Sequence, residues 1–443
     1  MKAGSRHSIA TITTTIVAMD AHINSTMNAV LHHPLFQKLE AVWRNLYFLM
    51  SYAPAGSNIK IKILTLAFAE MHRDVTYAIE FDQSELFNKI YSEEFGMPGG
   101  EPFGLLLGDY EIRLRQLPHA ATAHDIDTLR AFSEIAAAAF VPFIVNVDVH
   151  SFGIDTMNEF EKINDLDTFF KLPEFSYWNE FRHSPQACFI GLTFPKTILR
   201  KPYDKHYRKA GFIFHEQQKD AQDYLWGNAN FSFAATVLTA FKEQGWFNAL
   251  RGSPFTENSR GAITHLPAFS FDTDAPGFAP RHGTQTYITD HQEKVLSDAG
   301  FIPLCTVHHT KTPIFYSDRS IQTPQHQSTQ ANISILLQYL LCACRFAHYL
   351  KIIGRNKMGS FLNANDCENY LNQWILDYTV ANDDLSWEQQ AKYPLKKANI
   401  TVNPVTGMPG RFHCLMHIEP HFYIEQLEST FLLVTELSPD LGK

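Results

Sequence analysis

Two periods of apolar residues alternate along this chain, and that alternation constrains its fold more than any other feature. Ile12, Ile16, Met19, Ile23, Met27 and Val30 recur at steps of three and four, which predicts an amphipathic helix. Pro34 suits the first turn of a second helix, where its missing N–H has no intrahelical partner to lose. That helix carries Leu35, Leu39, Val42, Leu46 and Leu49 in one stripe, thickened by Phe36, Trp43 and Tyr47. Joined by His32-His33, the two stripes predict a helical hairpin that packs on something else. From residue 58 the period drops to two. Ile59-Lys60-Ile61-Lys62-Ile63 alternates strictly, as a half-buried strand does.

Helix and strand signals then follow in turn, which indicates an α/β region. Asp82 with Glu85 resembles a capping box, opening a helix with Leu86, Phe87, Ile90 and Tyr91 that Gly96 stops. Strands are expected at 103–108, 143–149 and 188–194, a helix over 126–140, and a Phe-rich helix after Asn228. Residues 252–283 read as a long loop. Asp290 with Glu293 caps a short helix closed by Gly300, before strands at 301–307 and 314–316. The polar stretch 318–330 marks a boundary. Beyond it come helices over 331–353 and 365–380, then strands alone at 400–405, 412–418 and 427–437. The expected division is a helical hairpin (1–57), an α/β domain (58–325) and a C-terminal domain (326–443) with β-strands in 398–437. A strand-rich end leaves sheet edges for a partner to cover.

Composition narrows function by exclusion. The net charge is −9, with 37 basic and 46 acidic residues and no basic block, which argues against duplex nucleic acid as a partner. The most apolar stretch, 333–350, is interrupted by Gln338, Arg345 and His348, so it reads as a buried helix and not a membrane span. No apolar run follows Lys2 and Arg6 as a signal peptide requires. Cys188, Cys305, Cys342, Cys344, Cys367 and Cys414 are scattered, the pattern of reduced thiols in a cytosolic protein.

Chemistry finds little foothold. His413, His417 and His421 are spaced by four, as zinc ligands on a helix would be. Pro420 and the surrounding pattern make the segment a strand, and no Asp, Glu or Cys at motif spacing completes a shell. The neighbours in His32-His33 and His308-His309 point apart. Cys342-Ala-Cys344 lies in an apolar helix and reads as core. Residues 96–104 run helix, glycines, strand with no Lys after them, so they form a turn and not a phosphate loop. Asp148-Val-His150 has no nucleophile beside it. No catalytic, cofactor or metal residue is assigned. A metal- or thiol-dependent enzyme built on these histidines or cysteines stands as the competing class.

Several stretches resemble one family in order and spacing. They are LHHPLFQKLEAVWR (31–44), SELFNKIY (84–91), FGMPGGEPFG (95–104), AAAAFVPF (136–143), IGLTFP (190–195), LRKPY (199–203) and DYLWGNA (223–229). RFAHYLK (345–351), KMGSF (357–361), LNQWI (371–375) and PHF (420–422) continue the match. Together they resemble the large subunit of the type VI secretion contractile sheath (TssC/VipB).

The resemblance implies a structural protein of a Gram-negative cytoplasm, without cofactors, whose core is like that of phage tail sheaths. It implies a one-to-one pair with a small sheath subunit (TssB/VipA), packed here on Leu35, Leu39, Trp43 and Leu46. It implies a helical polymer of such pairs around an Hcp inner tube on a baseplate, which contracts to drive tube and spike outward. It also implies β-augmentation between subunits in the C-terminal part. Those strands map to Ile400, Val402, Phe412, Cys414, Met416, Ile418, Phe431 and Leu433. A sheath of a phage-like contractile particle is the alternative within the class. Family members usually carry several tens of residues more before the Leu-His-His-Pro helix, including a short helix bound by the unfoldase ClpV. Only 30 residues precede Leu31 here, so recycling through that segment is not implied. Asp290-His-Gln-Glu293 replaces the family's Asp-Arg-Arg-Glu.

Overall fold

The structure, a computed structural model, describes residues 2–54, 56–97, 99–115, 123–163, 165–203, 208–209, 212–218, 223–247, 250–252, 261–268, 282–307, 312–324, 329–357, 364–380, 392–405, 412–421 and 431–437. Helices α1 (Lys2–Leu31) and α2 (Pro34–Tyr52) are followed by α3 (Phe68–Tyr77). A single turn, α4 (Glu85–Phe87), runs into a π-helical stretch over Asn88–Gly96. Next come β1 (Leu106–Ile112), α5 (Ala123–Ala138) and β2 (Phe143–Val147). The short helices α6 (Leu166–Phe169) and α7 (Ser176–Arg182) precede β3 (Ile190–Phe194). Four two-residue strands, β4 (Thr197–Ile198), β5 (Arg208–Lys209), β6 (Phe212–Ile213) and β7 (Trp226–Gly227), form two small ladders, β4 with β7 and β5 with β6. Then α8 (Ala229–Gln244), α9 (Asp290–Asp298), β8 (Phe301–Thr306) and β9 (Pro313–Phe315) complete the α/β region. The rest is α10 (Thr329–Ser334), α11 (Leu337–Lys357), α12 (Ala364–Leu376), β10 (Leu395–Pro404), β11 (Phe412–Pro420) and β12 (Phe431–Leu437).

The central sheet has the order β1-β2-β3-β8-β9, parallel through β8 and antiparallel at β9. Every residue of β2, β3 and β8 is buried, as a parallel sheet covered on both faces requires. Alternate side chains serve two cores. Phe143, Val145 and Phe301 join Phe132 of α5, Phe181 of α7 and Leu296 of α9 on one face. Ile144, Ile302 and Leu304 join Phe233 of α8 and Leu337, Leu340 and Leu341 of α11 on the other. The high phenylalanine content is spent on the first face. Phe152 has the rings of Phe160, Phe170, Phe194 and Phe301 within 4.6–6.1 Å of its own.

A second, antiparallel sheet has the order β10-β11-β12. Its inner layer, Ile400, Val402, Cys414, Met416 and Ile418, packs on Phe346 and Leu350 of α11 and on Leu371 and Ile375 of α12. Helix α11 therefore contributes to both cores.

Four local expectations change. The alternating segment 59–63 forms no ladder, because no neighbouring strand receives its backbone groups among the described residues. The helix expected from Asp82 opens instead at Glu85. Ser84 Oγ accepts from the Phe87 N–H, and the Asp74 carboxylate accepts from the N–H groups of Glu85 and Leu86. The single helix expected over 331–353 is broken into α10 and α11 around Ile335-Leu336. Asp318 causes the break. Its carbonyl accepts from Leu337 N–H and its carboxylate from Gln338 N–H, so it caps α11 from 20 residues upstream of Gln338. Thr289, not Asp290, caps α9, in a box with Gln292. Residues 253–260 and 269–281 of the expected long loop, and His308-His309, lie outside the described residues.

Candidate assembly interface

The chain's apolar side chains are not all inside. On α1, Ile9, Ile12, Ile16, Val17, Met19 and Ile23 are exposed, and on α2 so are Leu35, Leu39, Val42, Trp43, Tyr47 and Met50. Trp43 is 64% and Tyr47 77% accessible, for side chains that normally supply core or interface. A run of this size far exceeds the scattered apolar exposure of ordinary surfaces and marks a contact face. Of the residues expected to meet a small subunit, Leu35, Leu39 and Trp43 lie on that open face, and Leu46 is half-buried. The opposite side of α2 is closed: Leu49 packs with Ala234 and Ala235 of α8. Ile61, Ile63 and Leu64 add to the open surface, while Lys60 and Lys62 turn to Glu101 and Glu94.

Ionic and amide contacts hold this face in place. At the corner between α1 and α2, His32 Nε2 lies 3.2 Å from Glu216 Oε1. Glu216, itself buried, accepts from both terminal nitrogens of Arg200 and from Tyr203 N–H. Arg200 also donates to Glu40 on α2 at 2.9 Å, where Arg44 joins it at 2.7 Å. Burial alone pushes the Glu216 carboxyl up, but the Arg200 guanidinium and the Tyr203 N–H outweigh it and hold its pKa below the ordinary value. Along α1, Asn24 and Asn28 behave as a strand would. Asn24 donates to Ile213 carbonyl and accepts from His215 N–H; Asn28 donates to His215 carbonyl and accepts from Gln217 N–H. Sequence reasoning missed these residues; their signal was the i,i+4 spacing of two amides on one face of α1.

In the C-terminal sheet, β11 is the middle strand. Phe412, Cys414, Met416 and Ile418 are paired on both sides, to Pro404, Val402, Ile400 and Ala398 of β10 and to Leu437, Thr435, Leu433 and Phe431 of β12. Their backbone groups are used within the chain, so they build the layer on which an added strand would rest and are not an edge. Ile400 and Val402 lie on β10 at one edge, Phe431 and Leu433 on β12 at the other.

The residues with possible chemistry are placed as scaffold. Asp148 caps the turn at Val149–Phe152 and accepts from Arg113 Nε at 2.9 Å. Cys342 and Cys344 are buried, and burial pushes the Cys342 thiol up to about 12, far from a thiolate at neutral pH. His413 and His417 stand on β11 opposite Glu436 and Leu432 of β12, and His421 follows the strand. Among the described residues no cluster of three potential ligands forms, and no helix is long and apolar enough to cross a membrane.

Residues 13–322 match the model of the EvpB/VC_A0108 tail sheath N-terminal domain, and residues 326–437 that of the EvpB/VC_A0108 tail sheath gpW/gp25-like domain. The chain is 33% identical to the type VI secretion system sheath protein TssC1 of Pseudomonas aeruginosa, over 98% of its own length and 87% of that protein's. It also aligns with the crystal structure of a sheath tail protein from Desulfitobacterium hafniense at 10% identity and a TM-score of 0.36, covering 74% of this chain and 57% of that one. Both family domains in order, and a relative matched almost end to end, agree with the outward apolar face of α1 and α2: the chain belongs to the TssC/VipB family of type VI secretion sheath large subunits.

Proposed function

We propose that this chain pairs one-to-one with a small sheath subunit through the α1–α2 face, and that the pairs polymerise around an Hcp tube in the cytoplasm of a Gram-negative bacterium. The observation that carries the reading is the row of large apolar side chains from Ile9 to Met50 that the rest of the chain leaves in water. A subunit that kept this face bare would aggregate, so a permanent partner is the economical explanation. Ile61, Ile63 and Leu64 offer further exposed apolar surface. The polymer is joined through the C-terminal sheet by strand addition, in which main-chain hydrogen bonds give affinity without a side-chain code. Each such bond contributes about 0.5–1.5 kcal/mol net. Several per junction keep neighbours tied while the packed bodies rotate between an extended and a contracted lattice. Baseplate contact starts the assembly, and no reaction at this chain drives contraction.

The test is electron microscopy of the chain co-expressed with the small subunit. Uniform hollow tubules, lost when Leu39 and Trp43 are both changed to Asp, support the reading. A wild-type chain that stays monomeric at high concentration and ignores the small subunit overturns it.

A further inference from the structure

The outer edge of β10 is engaged at Leu395, Ile400 and Val402 by groups of this same chain. At its start, Leu395 N–H donates to Tyr378 carbonyl, and Leu395 carbonyl accepts from Val380 N–H. The ladder shifts register between Leu395 and Lys397, so further along the even-numbered residues face outward. There α12 supplies side chains in place of a strand. Asn372 Nδ2 donates to Ile400 carbonyl at 2.7 Å, and its Oδ1 accepts from Ile400 N–H at 2.8 Å. One helical turn back, Glu368 Oε2 accepts from Val402 N–H at 2.9 Å. Asn24 and Asn28 make a related contact with residues 213–217, each joining the carbonyl of one residue to the N–H of the residue two further on.

These bonds carry a consequence for assembly. A neighbour's strand entering beside β10 must first displace a charge-assisted bond and a two-way amide, all on half-buried groups, and regain no more than it removes. We infer that the C-terminal sheet accepts a neighbour's strand on one side only, because Glu368 and Asn372 close the β10 edge and keep it closed in the polymer. This rests on the reading that sheath subunits are joined by strand addition. It directs that addition away from Ile400 and Val402 and gives the junction a single polarity, as a helical lattice of identical units needs. Edges covered by a helix are a known protection against indiscriminate pairing, and here the cover is specific to two main-chain positions.

Residue-resolved amide hydrogen exchange tests it, on the full chain and on tubules formed with the small subunit. In the wild type, Ile400 and Val402 amides are slow in both states. With Glu368→Ala and Asn372→Ala together they become at least about tenfold faster in the free chain, while Thr401, bonded within the ladder, does not change. Each single variant releases its own amide alone, and Glu368→Gln, which keeps an acceptor, leaves Val402 slow. Wild-type tubules in which electron cryomicroscopy shows a neighbour's strand paired with Ile400 and Val402 overturn the inference. A free variant with unchanged exchange overturns it too. If the wild-type pair forms no tubules, the polymer reading itself falls.

Discussion

Strand β10 and the segment 59–64 present alternating apolar side chains to opposite surroundings. Ile400 and Val402 are sealed against α11 and α12, and their outward backbone groups are taken by Asn372 and Glu368. Ile61 and Ile63 are open, Ile63 at 69%, and their neighbours Lys60 and Lys62 hold the segment to the body by ion pairs. One region is finished within the chain and the other is not. The difference shows that alternation states which side chains share a face, whereas burial and a ladder depend on what lies opposite. The same contrast divides α2, closed at Leu49 and open at Trp43.

Truncation of Met416 in the closed region gives the largest effect. Met416→Ala leaves a cavity between the sheet and its helices and costs about 2–5 kcal/mol in urea unfolding. A cost under about 1 kcal/mol breaks the comparison. Acid sharpens it next. His348 is buried against Phe95, with Nε2 donating to Ala139 carbonyl at 3.0 Å, and burial lowers its pKa to about 4. The unfolded chain then binds more protons between that value and the ordinary 6.5, so stability is lost as pH falls through this window. The loss is on the order of 3 kcal/mol, and His348→Gln flattens that part of the pH profile. The Glu216 carboxyl, held below its ordinary value, adds a further loss at still lower pH, and Glu216→Gln removes it.

The open region responds differently. Leu39→Asp with Trp43→Asp changes the stability of the free chain by less than about 1 kcal/mol yet abolishes co-purification with the small subunit. A large loss of stability in the free chain would mean that this face packs within the chain after all. Ile61→Thr and Ile63→Thr, which keep β-branching, give the smallest change, within about 0.5 kcal/mol in urea unfolding. Their effect is read instead as weaker pairing with the small subunit.

Much of the α/β order was legible because fully buried parallel strands read as apolar runs, as at 143–147 and 190–194. The helices of the first 52 residues were legible from their stripes, but a stripe does not say whether the chain or a partner covers it. The break between α10 and α11 was hidden, because its cause, Asp318, is remote in sequence from the helix it caps. The edge closure by Asn372 and Glu368 was hidden because their main-chain partners are also remote in sequence and neither side chain differs in type from an ordinary exposed helix residue. The residues alone indicated assembly over catalysis. The family came from motif order, and the outward face of α1 and α2 gives that order a physical meaning.

Asp318 also bears on how the chain folds. Its carboxyl is buried, and burial raises its pKa, so in isolation it destabilises the exit of β9. Beside the nearby charge of Arg251, its compensation comes from the N-terminus of α11, which also fills the second face of the central sheet through Leu337, Leu340 and Leu341. Cut between residues 325 and 326, the first piece would lose the Gln338 N–H donor to that carboxyl and keep a bare sheet face. The two sequence regions are therefore one cooperative unit, and the earlier-synthesised part waits for the later helix before it is stable.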